Sequence, residues 1–363
     1  MNDVTKQIQK GGDNSQQIQA DTVIIQQGID EKRAREICDE KFNLIRNEFS
    51  SEALQIANER VSKFEDTLIP KMQKIDGALE SFADPAFQYL ISKAHRTAAC
   101  TDREDDYLLL SELLLHRIEK KDSRRDCAGI NRAIEIVDQI TDEALSSLTV
   151  FFSVEQFNPV ASTVSKGLAI LDNLYGKLPL NLLSSDNSWI EELDVLDAVR
   201  FSTFGKLKKL EDYWKEKFSG FVCTGIKNDS EKWSEIDSLL TSAGLSRSIL
   251  VPNELLPNFF IIPVIHKDNI KELSFVNRVS KILLSTNQKE VLNKIYDMYE
   301  NPSNETQIVY ENFIKKMDSY KNISIVKKWW NSIPHAITIT SVGRVLAHSY
   351  AKKCEPTLPD INT

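Results

Sequence analysis

The chain has 363 residues, 41% hydrophobic and 27% charged, which excludes a wholly disordered or collagen-like polymer and leaves room for two or three domains. Lys plus Arg number 45 against 53 Asp plus Glu, a net charge of −8, which argues against wholesale binding to a nucleic-acid backbone. Gly (12) and Pro (11) are scarce, so helices are expected in preference to a turn-rich β protein.

The first residues carry no apolar run behind a basic end, and no apolar stretch approaches the ~20 residues a membrane span needs. The five cysteines (Cys38, Cys100, Cys127, Cys223 and Cys354) are scattered and form no Cys-x-x-Cys pair. Neither a disulfide framework nor a zinc site is indicated by that spacing, and the expectation is a cytoplasmic protein with reduced thiols.

Residues 1–28 hold seven glutamines and a Gly11-Gly12 pair. Gln16–Gln19 and Thr22–Gln27 read as two short strands joined at Ala20-Asp21. The second is β-branched, uncharged and free of proline, so its backbone groups could be completed by another copy. Ile18, Val23, Ile24 and Ile25 are the assembly candidates. The competing reading is a hairpin folded onto its own body.

Asp30 reads as the N-cap of a helix marked by Ala34, Ile37, Phe42 and Ile45. After Ser50-Ser51 a second helix follows Leu54, Ala57, Val61, Phe64, Leu68 and Met72, and Pro70 is expected to kink or break it. Asp84-Pro85 opens the next helix as a cap followed by a first-turn proline. The acidic run Asp102–Asp106 leads into Leu108–Leu115, dense enough in leucine to predict a helix at the centre of a bundle. Further helices are predicted around Ile130–Val137 and from Thr141-Asp142-Glu143 to Phe152. The Lys120–Arg125 segment reads as a solvated basic loop.

In the last third, Leu193–Phe221 reads as a charged amphipathic helix, and Asn258–Ile265 as one strand. Helices are predicted at Asn269–Leu284, Gln288–Tyr299, Glu305–Tyr320 and Arg344–Lys352, the last after a short strand at Ile337–Ile339. The predicted fold class is mainly α, with helical bundles, a short N-terminal β-hairpin and a C-terminal helical unit with one or two strands. The predicted organisation is a β segment (1–28), long helices (29–83), an all-α bundle (84–187) and a helix-rich C-terminal unit (188–363).

No phosphate-binding glycine loop, His-Glu-x-x-His pair or Gly-x-Ser-x-Gly elbow is present. His95, His116 and His266 stand alone and read as structural residues. No catalytic residue, metal or cofactor is indicated. Arg344 and His348 lie one helical turn apart, resembling the Arg-x(4–6)-His of HEPN-type ribonucleases, though only three residues intervene here. Trp329-Trp330 behind Lys327-Lys328 is a weak candidate for a partner anchor. Lys206, Lys208 and Lys209 near Trp214 and Phe218 could contact a single strand by charge and stacking.

Taken in order, several landmarks resemble a family of uncharacterised bacterial proteins, sporadically distributed and without an agreed activity. They are the Asn/Gln-rich opening with Val23–Ile29, Ala57–Arg60, Asp102–Arg117, Asn131–Glu135, Leu145–Phe152, Trp330-Asn331, and Thr340–Gly343 with Ala347-His348. Relatives are expected to carry an asparagine soon after that Ala-His, where this chain has Ser349-Tyr350. The resemblance supplies no catalytic residues and implies a role in defence against phage or mobile elements. The expected function is therefore a cytoplasmic interaction or scaffold protein that forms a homo-oligomer and meets a protein partner away from membranes. A nucleic-acid-binding regulator with a winged-helix-like C-terminal unit is the alternative, and a HEPN-like ribonuclease a weaker one.

Overall fold

The computed structural model describes residues 28–120, 123–184, 186–202, 204–276 and 281–360. The N-terminal hairpin expected from the sequence, with Ile18, Val23, Ile24 and Ile25, lies outside them. The described chain is mainly α, as expected. Its first half is helical throughout: α1 (Glu31–Ile45), α2 (Ser51–Gln73), α3 (Pro85–Cys100), α4 (Glu104–Glu119), α5 (Arg124–Ile136), α6 (Asp142–Gln156), α7 (Val164–Lys177) and α8 (Ser188–Val195). Asp30, Asp84 and Thr141, expected as caps, each accept a backbone N–H of the first turn, and Ser50 does the same for α2.

Short strands are interspersed with helices in the second half: β1 (Val199–Ser202), α9 (Leu210–Lys217), β2 (Ile226–Lys227), α10 (Trp233–Ser242), β3 (Val251–Pro252), β4 (Phe259–Ile261), β5 (Ser274–Val276), β6 (Lys281–Leu283), α11 (Thr286–Asp297), α12 (Ser303–Asp318), α13 (Lys321–Trp330), β7 (Ala336–Ile339) and α14 (Ser341–Cys354). Where one or two strands were expected, the described residues form seven, all short and antiparallel. β1 pairs with β7, β4 lies between β2 and β3, and β5 with β6 makes a hairpin.

Three local expectations are corrected. Leu193–Phe221 is not one helix, because Asp197 takes a left-handed conformation (φ 63°) that reverses the chain into β1. Asn269–Leu284 is a 3₁₀ turn followed by the β5–β6 hairpin, and its β-branched and aromatic residues favour strand over helix. Pro70 does not end α2, which runs on to Gln73. It sits on the exposed face of the last turn, where water can satisfy the carbonyl its missing N–H leaves free.

One continuous apolar core runs from Ala34 on α1 to Ala351 on α14. α14 lies against α4, α5 and α6, so the last helix fills the centre of the bundle built by the first half. A smaller core joins α10 and α11 to the sheet β2-β4-β3 through Trp233, Ile236, Ile262, Leu292 and Ile295. A third apolar cluster joins α1, α2 and α3 near one end, through Phe42, Ile45, Ala57, Val61 and Ala99.

The entry to α14 is fixed by a tight joint with the start of β1. Thr340 Oγ1 donates to the Asp197 carbonyl at 2.6 Å and accepts the Gly343 N–H at 3.2 Å. The Thr340 N–H donates to the Ala198 carbonyl at 3.1 Å. A Cβ on Gly343 would stand 2.0 Å from that same Ala198 oxygen, so a backbone and not a flexible side chain blocks it. Gly343→Ala is expected to destabilise the fold by about 2 kcal/mol or more, read as a lower urea midpoint at unchanged slope. An unchanged midpoint would contradict the close approach.

Candidate functional site

A cleft of about 210 Å³ opens between α4 and α14 and concentrates titratable side chains. His116 enters it from α4 and His348 from α14, with ring centroids 5.7 Å apart at a steep angle. Glu112 and Glu119 line it from α4; Ser349, Lys352 and Asp360 line it from the C-terminal side. Both histidines are at least 94% buried, and His348 sits on a stretch of α14 buried from Val345 to Ala351.

His348 Nε2 lies 3.0 Å from the Pro359 carbonyl oxygen. A carbonyl can only accept, so Nε2 carries the proton and Nδ1 presents a lone pair, buried and without a hydrogen-bond partner. Burial lowers the proton affinity of His348, against the pull of the Pro359 carbonyl. His116 falls further, to about 4, chiefly through burial, with His348 and Lys120 adding to it. Burial raises the Glu119 carboxyl. The charged groups pair along the rim: Lys71 with Glu112 at 2.7 Å, and Lys352 with Asp360. A neutral imidazole pair thus sits beside a carboxyl of raised pKa, able to accept a proton or a polar ligand atom.

Arg344 does not line this cleft. It is half-buried one turn earlier on α14, and its charge acts on Glu155, whose pKa burial raises while Arg344 and Lys217 oppose the rise. Lys217 donates to the Val154 and Glu155 carbonyls at 2.7 and 2.8 Å, closing the C-terminal end of α6. Burial lowers its pKa to about 8.

The tryptophan pair faces inward. Trp330 stacks on Phe151 at 4.7 Å and against Tyr213 at 5.7 Å, and its indole N–H donates to the Lys208 carbonyl at 2.9 Å. Trp329 packs on Trp189 and is 8% exposed. Neither projects into solvent as an anchor. The neighbouring Asn331 side chain accepts the Leu210 N–H at 2.8 Å, which caps α9 from a distance. Trp214 and Phe218 are buried as well and offer no stacking face to the exposed Lys206, Lys208 and Lys209; the exposed ring near them in sequence is Phe204. Lys208 pairs with Glu216 and Lys327 with Asp318.

A second polar cluster was missed by sequence reasoning. Cys38, Glu65 and His95 come from α1, α2 and α3 and are all buried; they are the group among the described residues whose donor set could hold a metal ion. Their signal in the sequence is slight. His95 falls four residues after Ile91 and three before Ala98, inside the apolar stripe of α3, and Glu65 adjoins the Phe64–Leu68 stripe of α2.

The fold and these two clusters define a mainly α protein with buried histidines. A family model matches residues 28–359, which take in every element from α1 to α14, and the chain belongs to that family, whose description names no activity. No curated protein and no solved structure matches the chain. Among the described residues, no helix is long and apolar enough to cross a membrane.

The histidine cleft makes the fold acid-sensitive. His116 has a folded pKa of about 4 against 6.5 for the free side chain, so the unfolded chain binds the proton first as pH falls. The penalty is absent above about pH 6.5 and grows down to about pH 4, reaching about 3 kcal/mol. In His116→Leu, the loss of urea stability between neutral and mildly acidic pH should shrink by about 2 kcal/mol. An unchanged pH dependence would contradict the burial of a neutral His116.

Proposed function

We propose that the protein is a bacterial interaction or scaffold protein, acting in the cytoplasm, that self-associates through its N-terminal segment in defence against phage or mobile elements. The observation behind this reading is the sequence of that segment, β-branched, uncharged and free of proline, set directly before a capped helix. Ile29 packs against the main core, and Asp30 accepts the Arg33 N–H at 2.8 Å as the cap of α1. A Cβ on Gly28 would stand 3.0 Å from the Glu80 carboxylate. In the sequence, the uncharged, β-branched run Thr22–Gln27 immediately precedes these residues. A strand formed by that run would present backbone groups that a second copy can complete.

Ile18, Val23, Ile24 and Ile25 supply the apolar contacts of that pairing, and the backbone supplies its hydrogen bonds. The family match covers residues 28–359 and does not include Ile18, Val23, Ile24 or Ile25. The helical body would be the part that meets a protein partner. The defence role rests on the resemblance to patchily inherited bacterial genes, and equal phage titres on cells with and without the protein would contradict it.

Light scattering on a sizing column separates the assembly reading from its rival. The full chain is expected to be an oligomer, a version starting at Ile29 a monomer, and Ile24→Lys to lie nearer the monomer. One shared mass for all three would overturn self-association through this segment.

A further inference from the structure

Three helices that pack against one another each send one polar side chain into a shared apolar interior. Cys38 comes from α1, Glu65 from α2 and His95 from α3. Cys38 and His95 have no exposure at all, and Glu65 has 9%. A thiol sulfur, a carboxylate oxygen and an imidazole nitrogen lie within 4.8 Å of one another.

The polar atoms are close without satisfying each other. His95 Nε2 stands 3.0 Å from Glu65 Oε1, yet neither ring nitrogen of His95 makes a hydrogen bond. The contact has the distance of a hydrogen bond without its alignment. Phe42 and Phe64 meet the imidazole edge-on, with centroids 5.9 and 6.0 Å away, and fix its plane. Buried polar groups left in this state cost stability unless something else engages them.

A divalent cation at the shared point would engage all three. Its two charges balance a thiolate and a carboxylate, leaving the apolar interior with no net charge. Bonds of roughly 2.0–2.3 Å to a tetrahedral zinc place neighbouring donors roughly 3.3–3.8 Å apart, so no pair of donors need draw in by more than about 1.5 Å. A sulfur, nitrogen and oxygen set suits zinc and disfavours magnesium and calcium, which take oxygen donors. Without a cation, burial and the Glu65 charge hold the Cys38 thiol protonated; a bound cation would reverse that.

We propose that Cys38, Glu65 and His95 bind one zinc-class divalent cation, which ties α1, α2 and α3 together. Glu65 is the one ligand that reaches the surface, so it marks the route of entry. The site uses no residue of the N-terminal segment, and it stands whether or not that segment assembles.

The test uses the reduced, chelator-treated full chain titrated with Co²⁺. One equivalent should bind, with a thiolate-to-cobalt charge-transfer band and the visible absorption of a tetrahedral site, and Zn²⁺ should displace it. Cys38→Ser should lose the charge-transfer band and weaken Zn²⁺ binding by at least the roughly 10–100-fold that loss of a supporting contact costs. Cys100→Ser, at the exposed thiol, should behave as the parent chain. No cobalt absorption, or a charge-transfer band that survives Cys38→Ser, would overturn the site. If Cys38→Ser does not fold, X-ray absorption of the zinc-loaded parent chain decides. One sulfur with nitrogen and oxygen donors is expected, and a shell with no sulfur or with several overturns it.

Discussion

The burial of the last helix by the first half of the chain is the constraint on which the rest of this structure depends. Nine of the fourteen residues of α14 are buried, too many for a helix that covers one side of a bundle. It lies among α4, α5 and α6, whose leucines and phenylalanines would otherwise face an empty centre. Contacts of such wide sequence separation are costly to close, and the chain secures them with small polar joints at helix ends. Thr340 ties α14 to the start of β1, Asn331 caps α9, and Asp172 on α7 accepts the N–H groups of Asn322 and Ile323 at the start of α13.

The polar cleft is a consequence of the same packing. α14 can lie beside α4 only by bringing His348 against His116, and the apolar surroundings then keep both imidazoles from charging readily. The C-terminal tail completes the arrangement, since the Pro359 carbonyl fixes the tautomer of His348. At the other end, α1–α3 bury a thiol, a carboxylate and an imidazole together. The two clusters share a cause: helices that pack on nearly all sides must carry some polar residues into the interior.

Much of the helical framework is legible in the sequence because its signals are local. Asp30, Ser50, Asp84 and Thr141 announce helix starts by residue type, and the dense leucines of α4 announce a central position. The short strands are harder to read. β2 and β3 have two residues each, too few for a periodic signal, and β1 forms because β7, far along the chain, pairs with it. The sites are harder still. His348 shows as a residue near Arg344 on one helix, but tertiary packing directs His348 toward His116 and the charge of Arg344 toward Glu155. Cys38, Glu65 and His95 lie on three helices with no motif spacing, so only the packed fold brings them together.

Hydrogen exchange on the full chain, compared with a chain ending at Thr340, tests the dependence on α14 most directly. Without α14, the amides of α4, α5 and α6 are expected to lose the protection they have in the full chain, because their inner faces no longer have a partner. If α4–α6 keep full-chain protection in the shortened protein, the first half builds its own core and α14 is not what completes it.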